Sequence, residues 1–345
     1  MWRIGIRLYQ DTFVKLKKQP GNNEPSATPF LKGVTNEKGQ PLDPLLPIAN
    51  SVCNMVCAVA FGHRYPMDDN TFQRLIEEID LALKSGGSFI YAKKALSSRK
   101  AVLSFVKKEI KKHKECRALH EPQDFVDLYL VQIEKTKGRV SSAYNEEKLA
   151  ECILDLFISG AETTATSLQW GLLLMAIHPD IQEKVFKETE DVLGSSHSIS
   201  YQDWKTLPYT CAVIHEIQRT KYTFLFRIIR QAAKDGTFIN PNLNSVLLDP
   251  EQWETPEKFN PNHFLDKSGK FVAREEFQLF GSGDSMCLEE QLARIELFSF
   301  FTTLLRAFRF QLPGGEKKLS KESRTGLTTY PHSYQLCAVP HYKAS

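Results

Sequence analysis

The chain has 345 residues, of which 42% are hydrophobic and 25% charged, so it carries enough apolar side chains for a large folded core. Its net charge of +3 is too small to indicate nucleic-acid binding. No apolar run reaches about 18 residues and the first residues show no signal peptide, so the sequence predicts no membrane-spanning helix. The seven cysteines have neither a disulfide nor a zinc spacing, which is typical of a reducing, cytosol-facing environment.

The predicted elements are mostly helical. Residues 1–30 are rich in Lys and then in Gly, Asn, Pro and Ser, and we predict that this segment is partly disordered. Apolar periodicity predicts helices at about 47–61, 69–84, 96–114, 122–135, 145–178, 179–193, 209–220 and 288–308, and strands at 223–229, 308–312 and 334–339. The pattern therefore predicts a mainly α fold with a small β component.

The predicted helix at 145–178 has a polar interruption near its middle. Residues 159–164 read Ser-Gly-Ala-Glu-Thr-Thr, and Gly, Glu and Thr at these positions oppose helix propensity. Apolar residues on both sides indicate that the segment is buried. We therefore expect a functional requirement for polar groups at this point.

The predicted helix at 209–220 carries a glutamate and an arginine on one face. Glu216 and Arg219 are three residues apart, a spacing at which helical side chains meet. Taken alone, this spacing indicates an ion pair on the protein surface.

A single cysteine precedes the last predicted helix. Cys287 ends the segment Phe-Gly-Ser-Gly-Asp-Ser-Met-Cys, which begins at Phe280. The free N–H groups and the positive dipole end of a helix N-terminus favour a thiolate, which serves as a nucleophile or a metal ligand. Alone, the position is weak evidence, because single cysteines are mostly small buried hydrophobic residues.

In this order and on these elements, the three segments resemble the cytochrome P-450 superfamily of heme-thiolate monooxygenases, and most closely its microsomal family-two enzymes. Further matching segments include Gln-Pro-Leu-Asp-Pro at 40–44, Pro-Glu-Lys-Phe-Asn-Pro-Asn-His-Phe at 256–264 and Leu-Ala-Arg-Ile-Glu-Leu-Phe at 292–298. The resemblance predicts a truncated cytochrome P-450 fold over residues 31–345, lacking N-terminal and internal segments, with residues 1–30 unmatched.

The resemblance implies heme b as the cofactor, with Cys287 as the axial thiolate ligand of the iron. Phe280 and Gly283 occupy the family's positions in the cysteine loop. Arg230 falls where the family often has an arginine that binds a heme propionate.

On the long helix, the resemblance implies that Gly160 leaves space for dioxygen and that Glu162 and Thr163 relay protons. It also implies a buried structural ion-pair network of Glu216, Arg219 and His263.

The cysteine loop departs from the family pattern in its charges. The family has arginine and glycine where this chain has Ser285 and Glu289. The first change removes a donor for a propionate, and the second adds a charged side chain near the cofactor. Asp284 is expected to raise the pKa of the cysteine thiol. Compared with the family, the chain also lacks a helix with Trp and Arg four residues apart and a hairpin between 235 and 242. The region between 83 and 106, which in the family would cover the substrate pocket, is shortened.

The sequence leaves two functions open. One is a monooxygenase at the cytosolic face of the endoplasmic reticulum membrane, which inserts one oxygen atom of O2 into a fatty acid, steroid or xenobiotic with electrons from an NADPH-dependent reductase. The other is a catalytically inactive, heme-poor remnant or interaction protein of the same family. Without an anchor helix a cytoplasmic location is also open, and the basic run at 107–114 allows peripheral contact with acidic lipids.

Overall fold

The computed structural model describes residues 39–341, except 85–88, 117–120, 139–143, 195–198, 222–229, 232–235, 240–241, 282–285, 288, 316–322 and 326–328. The described chain divides into two compact units. The first comprises Ala49–Glu162, and the second comprises residues 39–48 and 163–341.

Helices dominate the described residues. In chain order they are α1 (Leu45–Phe61), α2 (Asn70–Lys84), α3 (Phe89–Cys116), α4 (Phe125–Lys135), α5 (Glu146–Ile177), α6 (Pro179–Leu193), α7 (Pro208–Thr220), α8 (Leu243–Leu247) and α9 (Glu290–Ala307). Short 3-10 turns lie at Tyr201–Thr206, Pro261–Phe264 and Pro313–Gly315.

The strands are short and antiparallel. They are β1 (Pro41–Leu42), β2 (Arg230–Gln231), β3 (Phe238–Ile239), β4 (Phe308–Gln311), β5 (Ser323–Thr325), β6 (Thr329–Pro331) and β7 (Leu336–Pro340). One sheet has the order β1-β7-β4, while β2 pairs with β3 and β5 pairs with β6. In the three-stranded sheet, Phe310 lies opposite Ala338.

The first unit has an aromatic core around Phe61, which ends α1 and is 2% exposed. Its ring lies 6.1 Å from the ring of Phe105 on α3 and 6.0 Å from that of Phe157 on α5. Such edge-on and tilted contacts are the favoured geometries for aromatic pairs. The paired helices α2 and α3 pack against each other in the same unit.

A histidine on α3 is tied to the cap of α4. Asp124 is the N-cap residue of α4 and accepts a hydrogen bond from the Asp127 N–H at 2.9 Å. The second oxygen of Asp124 lies 2.9 Å from Nε2 of His113. Burial lowers the pKa of His113, but the hydrogen bond and the charge of Asp124 outweigh it, so the pKa rises from 6.5 to about 9. His113 is therefore charged at neutral pH.

This pair makes the stability of the first unit pH-dependent. Because the pKa of His113 is higher in the folded than in the unfolded chain, its contribution is complete below pH 6.5 and is lost as the pH rises through about 9. We expect the urea midpoint of unfolding, followed by circular dichroism, to decrease as the pH rises from 6.5 to about 9. The Asp124→Asn variant keeps a good N-cap residue but loses the charge, so its midpoint should fall less. If the urea midpoints of the wild type and of Asp124→Asn depended equally on pH, the pairing of His113 with Asp124 would be contradicted.

In the second unit α5, α7 and α9 approach one another closely at Gly171. A Cβ atom there would lie 3.3 Å from the ring of Phe301 and 3.4 Å from the Cδ1 of Ile217. Glycine thus permits close packing of α5 against both neighbours. Buried apolar side chains of α9, including Phe298 at 0% exposed, complete this core.

The side chain of Gln182, at the start of α6, binds the backbone of β4. Its Oε1 accepts the N–H of Phe310 at 2.6 Å, and its Nε2 donates to the carbonyl of Phe310 at 2.9 Å. The same Nε2 donates to the carbonyl of Met175 at 2.9 Å. One buried amide therefore joins the end of α5, the start of α6 and the sheet.

The predicted mostly helical fold with a small sheet is confirmed. The main differences are that α3 begins at Phe89 rather than at 96 and that the five-residue α8 was not predicted, because it is too short to show a helical period. The predicted strand at 223–229 and the predicted disorder of 1–30 lie outside the described residues. Among the residues described, no helix is both long and apolar enough to span a bilayer.

Candidate functional site

The cysteine loop is closed by a backbone hydrogen bond. The N–H of Cys287 donates to the carbonyl of Phe280 at 2.7 Å, and Gly281 between them has a φ of 76°, which favours glycine. Gly283, Asp284 and Ser285 fall outside the description. Cys287 itself is exposed, unlike a cysteine that fills a core.

The charges around the thiol oppose its ionisation. Desolvation by the surrounding protein raises the pKa of Cys287 to about 11, and the carboxylates of Glu289 and Glu290 raise it as well. The backbone N–H groups of the same two residues donate toward the sulfur and lower the pKa. The sulfur therefore has the donors that a thiolate needs, together with two carboxylates that disfavour it. The sequence attributed this effect to Asp284, which the structure does not describe.

An arginine links the loop to α7. The guanidinium of Arg294 lies 5.1 Å from the ring of Phe280 and is paired with Glu290 at 2.9 Å. It also donates to Nε2 of His215 at 3.1 Å. Because an arginine can only donate, this nitrogen of His215 must be the acceptor. Burial lowers the pKa of His215 to about 3, and the charge of Arg294 acts in the same direction, so the ring is neutral.

The structure brings the predicted ion-pair residues together in the second unit. Arg219 donates twice to the carboxylate of Glu216, each time at 2.8 Å, and both side chains are 0% exposed. Nδ1 of His263 lies 3.2 Å from the same carboxylate. The surface interpretation of this pair is therefore wrong. Trp253 covers the pair, with its ring 5.0 Å from the guanidinium of Arg219, and this residue was not singled out in the sequence.

A buried carboxyl group on α9 was also missed. Glu296 is 0% exposed, and neither of its oxygens has a hydrogen-bond partner with normal geometry. Burial raises its pKa well above the usual range, and the charge of Glu289 adds to this, whereas the nearby hydroxyl of Thr164 lowers it. The protein environment therefore favours the protonated form of Glu296 over its carboxylate. The signal in the sequence was a glutamate within an otherwise apolar helix face.

The remaining predicted residues lie on α5 and β2. Gly160 is buried, while Glu162 and Thr163 are half-buried. The carbonyl of Thr163 accepts a hydrogen bond from the hydroxyl of Ser167 at 2.9 Å. Arg230 is placed in β2 by its backbone, and its side chain is outside the description.

The effect of Glu289 on the cysteine is testable without a cofactor. Replacing Glu289 with glutamine removes one charge at nearly constant shape, so the pKa of the Cys287 thiol should fall below about 11. The measurement is the pH dependence of alkylation by iodoacetamide. The only other exposed cysteine, Cys116, is first replaced by serine. The control variant, Glu254→Gln, changes an exposed carboxylate outside the loop. An unchanged alkylation profile in Glu289→Gln would show that the carboxylate does not act on the sulfur.

Comparisons with known proteins give one consistent result. The family model for cytochrome P450 matches residues 23–338. Cytochrome P450 2J2 of Homo sapiens is 40% identical, with 90% of this chain and 67% of the relative covered. Cytochrome P450 2J5 of Mus musculus is 38% identical with the same coverage, and cytochrome P450 2D20 of Mesocricetus auratus is 36% identical, with 88% and 66% covered. The chain thus spans about two thirds of the length of these relatives.

Proposed function

Because the chain belongs to the cytochrome P450 family of heme monooxygenases, which bind heme b through a cysteine thiolate, we propose that it binds heme through Cys287 and oxidises a lipophilic small molecule. The observation that carries the proposal is the position of Cys287 on a loop directly before α9, with two backbone N–H groups directed at its sulfur. Every other cysteine lies within a helix or a strand.

The residues at this loop fit a thiolate ligand. Cys287 is an exposed residue and its sulfur receives backbone N–H donors, the arrangement in which a thiolate can bind a metal. Glu289 and Glu290 act against the thiolate, so we expect ligation to be weaker than in a loop without these carboxylates. When bound, the heme iron would supply the activation of dioxygen.

We assign the chain's own residues as follows. Phe280 and Gly283 shape the cysteine loop, and Arg230 binds a propionate. Gly160 keeps a space free for dioxygen, and the Glu162 carboxyl and Thr163 hydroxyl hold and transfer protons. The half-burial of Glu162 and Thr163 supports this role, because a proton-transfer group needs both a protein environment and access to water. The ion-pair network of Glu216, Arg219 and His263 keeps the second unit folded.

The proposed substrate is a fatty acid, a steroid or a xenobiotic, and the proposed electron donor is an NADPH-dependent reductase. The proposed location is the endoplasmic reticulum membrane at its cytosolic face, supported by the resemblance to the microsomal enzymes. The exposed basic residues of α3, among them Lys107, Lys108 and Lys111, support a contact with acidic lipid headgroups.

The deciding experiment is the carbon monoxide difference spectrum of the purified, heme-reconstituted and reduced chain. A red-shifted Soret band is expected, because it reports a thiolate ligand on ferrous heme. Heme that is lost on gel filtration, or a Soret band without the shift, would favour the alternative of an inactive, heme-poor family member. The comparisons give that alternative no support.

A further inference from the structure

A second candidate binding site lies in the second unit, away from the cysteine loop in sequence. It is a cleft of about 410 Å3 between the first turns of α6 and α7 and the segment 255–262, a volume within the range of small-molecule sites. The side chains that give it chemical character are His178, Asp180, Lys184, Tyr209, Lys258 and Phe259.

Two lysines line the cleft. Lys184 and Lys258 are both exposed, and neither forms a salt bridge with any residue that the structure describes. The ammonium group of Lys184 lies 5.8 Å from the centre of the Tyr209 ring. Asp180 supplies one carboxylate, so the lining is suited to an anion that also carries hydroxyl groups. Lysine side chains bind phosphate as point charges.

Aromatic rings form the apolar part of the wall. The rings of His178 and Phe259 lie 5.2 Å apart with 32° between their planes. Burial raises the pKa of Tyr209 to about 12, and the carboxylates of Asp180 and Glu188 act in the same direction. The Tyr209 hydroxyl therefore keeps its proton and can donate a hydrogen bond. Such a wall favours a flat ring over a flexible chain.

The buried ion-pair network holds one side of the cleft in place. The N–H of Asn260 donates to Glu216 at 2.9 Å, and the carbonyl of Lys258 accepts from Arg219 at 3.2 Å. Asn260 also donates through its amide to the hydroxyl of Thr255 at 3.3 Å. The backbone that carries Lys258 is thus fixed before a ligand arrives, which reduces the entropy lost on binding.

We propose that this cleft binds a nucleoside monophosphate. The phosphate matches the two ammonium groups of Lys184 and Lys258, and the base stacks on the wall of Phe259. The ribose hydroxyls donate to Asp180, as carboxylates accept from the ribose of dinucleotides. The three parts of the ligand correspond to the three kinds of group in the cleft, and this site is independent of heme.

The test is isothermal titration calorimetry of the full chain with AMP. We expect AMP to bind, and Lys184→Ala or Lys258→Ala to weaken its affinity about tenfold each, because each removes a charge-assisted contact. Lys187→Ala is the matched control, since Lys187 is exposed on the same helix but is paired with Glu183 and does not line the cleft. Circular dichroism verifies that each variant is folded.

Two further ligands test the phosphate and the nucleoside parts of AMP separately. Inorganic phosphate and adenosine should each bind more weakly than AMP, and Asp180→Asn should weaken AMP more than its 2′-deoxy analogue. No binding of AMP up to millimolar concentration would overturn the proposal. So would inorganic phosphate binding as tightly as AMP, equal effects of Lys187→Ala and Lys184→Ala, or tighter AMP binding by Asp180→Asn.

Discussion

Replacing Cys287 with alanine is expected to abolish heme retention. The physical reason is that no other cysteine lies on a loop ahead of a helix start, where backbone N–H groups can stabilise a thiolate. The measurement is the heme absorbance that stays with the reconstituted protein after gel filtration, together with the carbon monoxide difference spectrum. Both signals should fall to the background level of a protein without heme.

Two controls accompany Cys287→Ala. Cys116→Ala changes the other exposed cysteine, at the end of α3, and should leave the spectrum unchanged. Cys152→Ala changes a half-buried cysteine in α5 and should also keep it. A red-shifted band that survives in Cys287→Ala, or disappears in either control, would show that the assignment of the ligand is wrong. Circular dichroism distinguishes loss of the ligand from loss of the fold.

Arg219→Ala is expected to destabilise the second unit by about 3–5 kcal/mol, because it leaves the carboxylate of Glu216 buried without its cation. It also removes the donor to the carbonyl of Leu247 at 2.7 Å and the guanidinium beside Trp253. Chemical denaturation followed by tryptophan fluorescence measures the loss. A value this large is a substantial part of the stability of a typical protein, so a low soluble yield is also expected.

The matched control for Arg219→Ala is Lys187→Ala, which breaks an exposed pair with Glu183 at 3.6 Å. Exposed pairs contribute about 0–1 kcal/mol, so this variant should be close to wild type. Arg219→Lys retains the charge but not the paired hydrogen bonds, and it should lie between the two. Equal losses in Arg219→Ala and Lys187→Ala would mean that the buried pair contributes no more than a surface pair.

The helices were predictable because their apolar periodicity is strong over many turns. The period at 145–178 survives a polar interruption, and Pro179 marks the break between α5 and α6 because it cannot continue the preceding helix. The short strands were harder to predict. β2 and β3 have two residues each, and β1 pairs with β7, a partner almost 300 positions later in the chain.

The candidate site was predictable where chemistry follows from spacing along one element. Glu216 and Arg219 share a helix face by their spacing alone, whereas their burial depends on the distant segment that carries Trp253 and His263. Glu296 was not predicted, because its isolation depends on what packs around α9. The sequence assigned a rise in the thiol pKa to Asp284, which lies outside the described residues, and did not assign one to Glu289 and Glu290, the carboxylates that raise it in the structure. Sequence distance alone does not determine side-chain direction.

The amide of Gln182 protects the open edge of β4 from pairing with another molecule. In the described sheet β4 is an outer strand, so one side of its backbone has no neighbouring strand. An open strand of this kind is a template for intermolecular pairing, which leads to aggregation. Gln182 occupies the free N–H and carbonyl of Phe310 as a further strand would. This side chain therefore blocks another copy of the chain from pairing at Phe310, and the sheet cannot gain a further strand at that position.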